Sequence, residues 1–163
     1  VSKVDDTQQV QPLAHPVDEV PGQPLEIVHG APGTAPIGRR EVLLDGQIVD
    51  PSEEVRIALV WTDAPGSAFS DASVNDLDLV VEIGSTPYRG NNFTLGVSQP
   101  GGTADFRNNS EAVFLAPGPS GSASITINAT TIAGDGVPGN ADGTDQDYAL
   151  VAYNFSTTIS DGS

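Results

Sequence analysis

The chain has 163 residues, 37% of them hydrophobic before its 18 glycines are counted, which is the apolar share of an ordinary globular domain and argues against global disorder. Its 22 acidic side chains against 6 basic ones leave a net charge of −16, so it repels phosphate backbones and anionic lipid surfaces, and neither nucleic acid nor membrane is an expected partner. Cysteine and methionine are both absent, which excludes disulfides and thiolate metal sites and suits a secreted, extracellular protein.

In chain order, Pro12, Pro16, Pro21, Pro24, Pro32 and Pro36 interrupt any helical or strand period, so residues 1–36 read as a Pro/Gly-rich linker or edge segment in which only 25–28 is strand-like. Residues 37–157 read as one domain and 158–163 as a tail. Alternating apolar and polar positions predict a strand at 42–49, ended by the turn Asp50-Pro51-Ser52, although Asp45-Gly46 offers a competing hairpin turn inside it. Further strands are predicted at 55–61, 77–83, 88–89, 93–97, 112–115, 125–129 and 148–152. No window holds a helix. The longest apolar run, 57–61, is far too short to span a bilayer, and no signal-peptide pattern follows Val1, so any targeting segment is expected to have been removed or to lie upstream. About eight short antiparallel strands without a fixed repeat imply an all-β fold, a jelly-roll β-sandwich, expected to be a monomer. The long connections 63–73, 98–109 and 134–145 are where function is expected.

Nucleophilic hydrolysis needs a base beside the nucleophile, and the base is in short supply. His15 and His29 both fall in the Pro/Gly-rich segment, no Gly-x-Ser-x-Gly elbow exists, and Lys3 sits near the terminus. A glycosidase cleft would need more aromatic lining than one Trp, three Tyr and five Phe provide. The chain alone is therefore not expected to be an enzyme.

Calcium is the better use for so many acids, because it takes six to eight oxygens from carboxylates, amides and backbone carbonyls. In Val74-Asn75-Asp76-Leu77-Asp78-Leu79, strand alternation sends Leu77 and Leu79 to the core and sets Asp76 and Asp78 on the opposite face, about 7 Å apart. Such a pair repels unless a cation or hydrogen-bond donors stand beside it, and Asp63 is placed to close a site. The alternative is that these acids cap loops through backbone N–H groups. A second acidic group comprises Asp135, Asn140, Asp142, Asp145 and Asp147; its resemblance to an EF-hand loop is superficial, and a solvated loop competes with it. Asp105, Asn108, Asn109 and Glu111 form a third stretch, without close carboxylate spacing, and turn roles are expected for its asparagines. Sequons occur at Asn92, Asn108, Asn128 and Asn154; they matter only if the source glycosylates secreted proteins, and chance in an Asn/Ser/Thr-rich β-protein is the competing reading.

Ile57-Ala58-Leu59-Val60-Trp61-Thr62-Asp63-Ala64-Pro65-Gly66, then Val74 to Leu79, then Tyr88-Arg89-Gly90-Asn91-Asn92-Phe93, is similar to the C-terminal β-barrel domain of subtilisin-like serine peptidases. Asn108-Asn109-Ser110-Glu111-Ala112-Val113 resembles that family's Asn-Asn-Val-Glu stretch, with Ser110 where valine is commoner. The segments 134–140 and 145–151 resemble its closing loop and strand, so five ordered motifs span 41–154, while 1–36 carries none and the catalytic Asp, His and Ser motifs are absent. The resemblance implies a jelly roll related to the P domain of proprotein convertases, packed beside the catalytic domain of the same polypeptide, calcium-stabilised, and supporting protease stability or protein-substrate docking. Carried onto this chain, the implied calcium ligands are Asp63, Asn75, Asp76 and Asp78, with Asp142, Asp145 and Asp147 as a second set. A rival expectation is a carbohydrate- or protein-binding adhesive module, for which Phe69, Tyr88, Phe93 and Phe106 lie outside the clearest core stripes.

Overall fold

The computed structural model describes residues 25–30, 40–67, 73–139, 141 and 143–157, with backbone alone for 25–30 and 40. The rest of the 1–36 segment, the 158–163 tail, Phe69 and Asp142 lie outside the described residues. Ten strands follow in order: β1 (Leu25–Gly30), β2 (Arg40–Ile48), β3 (Val55–Val60), β4 (Asn75–Ile83), β5 (Thr86–Thr94), β6 (Val97–Pro100), β7 (Ser110–Leu115), β8 (Ser122–Ile132), β9 (Tyr148–Tyr153) and β10 (Phe155–Thr157). They form a four-stranded sheet ordered β1-β9-β3-β7 and a six-stranded sheet ordered β10-β2-β8-β4-β5-β6.

The antiparallel pairs nest: β4 with β5, β3 with β7, β2 with β8 and β1 with β9. A two-stranded ribbon rolled on itself has this connectivity, and the fold is a jelly-roll β-sandwich of eight strands with short β6 and β10 added at the edges of one sheet. Leu25–Gly30 pairs along its whole length with β9, so the roll takes in an edge strand from the Pro/Gly-rich segment.

Period-two patterning builds the interior. Val55, Ile57 and Leu59 of β3 meet Leu77, Leu79 and Val81 of β4, Ile125 and Ile127 of β8 and Leu150 of β9 in one core. Fully burying each such side chain stabilises the fold by about 1.5–3 kcal/mol.

Asp45-Gly46 makes no hairpin. β2 runs straight through it, and Gly46 is required because a Cβ there would stand 2.5 Å from the Phe155 ring, which β10 lays across β2. The chain turns at Asp50, whose carboxylate accepts the Ser52 N–H at 2.8 Å. Asn154 adopts φ 62° between β9 and β10, letting the chain switch sheets. Its side chain accepts the Asp50 N–H at 2.8 Å and donates to the Asp50 carbonyl at 2.8 Å, fixing that turn.

The strands predicted at 88–89 and 93–97 are redrawn as continuous β5 and short β6. Gly90-Asn91-Asn92, which reads as a break, is a kink in which Asn91 takes φ 60° and directs the strand from β4 towards β7. There the Asn91 side chain accepts the Ala112 N–H at 3.1 Å and donates to the Ser110 carbonyl at 2.8 Å, and Ser98 Oγ accepts the Phe114 N–H at 2.9 Å. Side-chain groups thus occupy the open edge of β7, in the place of another strand.

Candidate functional site

The three long connections meet at one end of the sandwich, where β3 finishes and β4, β7 and β9 start. Trp61 anchors this end: its backbone N–H donates to the Asn109 carbonyl at 3.1 Å, and its indole Nε1 to the Asn75 carbonyl at 3.2 Å. Asp63 accepts the Val74 and Asn75 N–H groups, one on each carboxylate oxygen, both at 2.8 Å. It clamps the loop between them, the capping role that competes with metal ligation at this position.

Asn75 is fully buried and its side chain is committed. Oδ1 accepts the Ala133 and Gly134 N–H groups at 2.9 Å each, while Nδ2 donates to Gln146 Oε1 at 2.9 Å and to the Gly134 carbonyl at 3.1 Å. Gln146, equally buried, donates onward to the Thr62 and Asp147 carbonyls at 2.9 Å. This Asn–Gln pair joins two connections, that from β3 to β4 and that from β8 to β9, and sequence reasoning missed Gln146 because a neutral amide beside two aspartates draws no attention. Asp145 is buried, its carboxylate accepting the Val137 N–H at 3.3 Å, whereas Asp147 is exposed.

Asp76 and Asp78 differ from all of these. They lie on one face of β4, opposite the core side as alternation requires, yet only 9% and 8% of their surfaces are exposed. Asp78 stands opposite Asn128 of β8, and Thr130, the extra residue where the register shifts after Asp76, donates its hydroxyl to Asp78 Oδ2. Asp78, Asn128, Ala129 and Thr130 line a cavity of about 320 Å3.

Glu111 joins them from β7. It points inward in phase with Val113 and Leu115 and is 2% exposed. β5 parts from β4 beyond the Val80–Arg89 pair, and Glu111 Oε2 fills the gap by accepting the Leu79 N–H at 2.6 Å. Gly90 is what admits it: a Cβ there would stand 2.7 Å from Glu111 Cβ and closer still to Oε2. A glutamate at an inward position of an alternating strand was the available signal, and a reading of 105–111 centred on its turn-forming asparagines gave Glu111 no role. Asp105 does close its own turn, accepting the Arg107 N–H at 3.1 Å and the Asn91 amide at 2.8 Å.

One buried oxygen on each of Asp76, Asp78 and Glu111 has no hydrogen-bond partner. Burial, followed by the charges of Asp78, Asp105 and Asp63, pushes the Asp76 carboxyl up to about 6. Burial also dominates at Glu111; opposed by the Leu79 N–H and reinforced by Asp78, Asp105 and Asp76, it pushes that carboxyl up to about 8. Such a cluster is disfavoured when fully ionised, and it calls for protons or a cation. Among the described residues, no group of three or more His, Cys, Asp or Glu side chains is arranged to hold a metal ion by itself, so any ion would draw part of its shell from neutral oxygens. The chain matches no protein-family model, and no curated protein matches it in sequence.

Proposed function

We propose that the chain is a non-catalytic accessory domain of a secreted subtilisin-like serine peptidase, a calcium-stabilised jelly roll that supports the catalytic domain of the same polypeptide or presents protein substrate to it. The observation that carries this proposal is that the five ordered motifs of the resemblance, far apart in the chain, interlock at one end of the roll. Trp61 bonds Asn75 and Asn109, Asp63 holds Val74 and Asn75, Asn75 pairs with Gln146, Glu111 reaches Leu79, and Asn91 holds both Ser110 and Ala112. Hard, oxygen-only ligands in the acidic cluster favour calcium over softer metals.

The test is the melting temperature of the chain in calcium and in excess chelator at fixed ionic strength, with a casein-hydrolysis assay on the same preparation. An ion bound only to the native state at one hundred times its Kd adds about 2.7 kcal/mol, so calcium is expected to raise the melting temperature by several degrees without any turnover. An unchanged melt removes the calcium part of the proposal, and turnover replaces it with an enzyme.

The adhesive module is the second reading, favoured by the exposed Phe93, Leu95, Val97 and Phe106 around β5 and β6. Retention on an insoluble polysaccharide or fibrous protein would put it first.

A further inference from the structure

We propose that Asn108 is the N-glycosylation acceptor of this chain, taking an oligosaccharide from a lipid-linked diphosphate donor, and that the sequons at Asn92, Asn128 and Asn154 are not used. The proposal rests on the secreted part of the functional reading, because a transferase meets the chain only on an export route.

The four sequons are alike in sequence and differ in the fold. In the transfer the asparagine Nδ2 bonds to C1 of the first sugar, the bond from C1 to the diphosphate oxygen breaks, and one amide proton passes by way of the transferase to the departing lipid diphosphate. The product amide keeps a single N–H and carries a bulky group that belongs on a surface loop. Asn154 is 2% exposed and commits both N–H groups, to the Asp50 carbonyl at 2.8 Å and the Glu53 carbonyl at 3.3 Å. Asn92 commits both as well, to the Gln99 carbonyl at 2.9 Å and the Gly101 carbonyl at 3.3 Å, and the backbone closes over it: a Cβ on Gly102 would stand 2.6 Å from Asn92 Cγ and Nδ2. Asn128 is half-buried in the middle of β8, opposite Glu41 of β2 on one side and Asp78 of β4 on the other, so its segment cannot bend outwards without opening both ladders.

Asn108 differs on each count. It is exposed in the connection between β6 and β7 and gives one N–H to Asp105 Oδ2 at 2.5 Å, a bond that the single N–H of a glycosylated amide can still make. Its neighbour Asn109 makes the contact that ties this loop to the roll, donating to the Trp61 carbonyl at 3.2 Å, which leaves Asn108 to the surface. Ser110, the hydroxyl residue of the sequon, is exposed at the start of β7. It stands where the resembled motif has valine more often, so the acceptor is a property of this chain and not of the motif. Beside it Phe106 is 55% exposed, with the Arg107 guanidinium 5.2 Å from its ring centre. A glycan two residues further on covers an apolar ring and shields an open loop from cleavage, in a chain read as the companion of a peptidase.

The experiment recovers the protein from the culture medium of its source and maps it by tandem mass spectrometry of intact glycopeptides. A glycan on Asn108, with Asn92, Asn128 and Asn154 bare, is the expected result. Asn108→Gln and Ser110→Val are expected to lose the glycan, and Ser110→Thr to keep it. Ser110→Val restores the commoner residue of the motif and keeps the backbone carbonyl that accepts the Asn91 amide, so the test does not depend on the folding of the Asn108 variant. A secreted protein bare at all four sequons, or one carrying a glycan on Asn92, Asn128 or Asn154, overturns the assignment and leaves the accessory-domain reading standing. A protein found only inside the cell overturns the secreted reading and the assignment with it.

Discussion

Glu111 shows how much a single side chain decides here. Its carboxylate replaces the β5 backbone as partner of the Leu79 N–H, so the residue is a structural wedge and a source of charge together. Its raised carboxyl, near 8 against an ordinary value of 4.5, means that the metal-free fold binds a proton there more tightly than the unfolded chain does. The sign follows: that contribution is fully present below about 4.5 and is lost as pH rises towards 8, while Asp76 adds a parallel loss between 3.8 and about 6. In excess chelator the melting temperature is therefore expected to fall steadily between these limits. Glu111→Gln, which keeps an acceptor for Leu79 and cannot ionise, should flatten the upper half of that profile, and saturating calcium should flatten it in the wild-type chain. Melts across this pH range in chelator, with and without the substitution, are the check.

At the scale of the element, β7 is protected by amide and hydroxyl groups in the place of another strand, and Asn91 supplies two of the three bonds. Removing them in Asn91→Ala is expected to cost about 1–3 kcal/mol and to leave an open edge that pairs with another copy. Chemical denaturation together with light scattering would measure both effects, and an unchanged midpoint with no association would refute them. The same element explains what was legible beforehand. Val55, Ile57 and Leu59, or Leu77, Leu79 and Val81, announce their strands because a two-residue period has one physical meaning in a half-buried sheet. The continuity of β5 through Gly90 and Asn91, and the separate β10 after Asn154, were hidden because glycine and asparagine carry the composition of turns while here they serve close approach and positive φ. Asp76 and Asp78 were legible as a pair, since strand neighbours are fixed by local geometry. Glu111 was not, because 32 residues separate it from Leu79 and only the rolled topology brings them together.

Across the whole molecule, the net charge of −16 repels itself and opposes compaction. Raising a monovalent salt from roughly 0.01 M to 1 M shortens the screening length from about 30 Å to 3 Å, so the melting temperature in chelator is expected to climb with salt. A flat salt profile would mean that the repulsion is already relieved locally. The nested pairing has a consequence of another kind, for how such a chain finds its fold. β4 and β5 are joined by a tight turn at Ile83 and Thr86, β3 meets β7 across a longer span, β2 meets β8 across a longer one still, and β1 meets β9 across most of the chain. Each closure shortens the loop that the next one must close, so the ribbon zips from its centre outwards. A topology so dominated by distant pairings belongs to the high contact-order, slowly folding class, and its final step, docking β1 on β9, must wait until the synthesised chain has released β9.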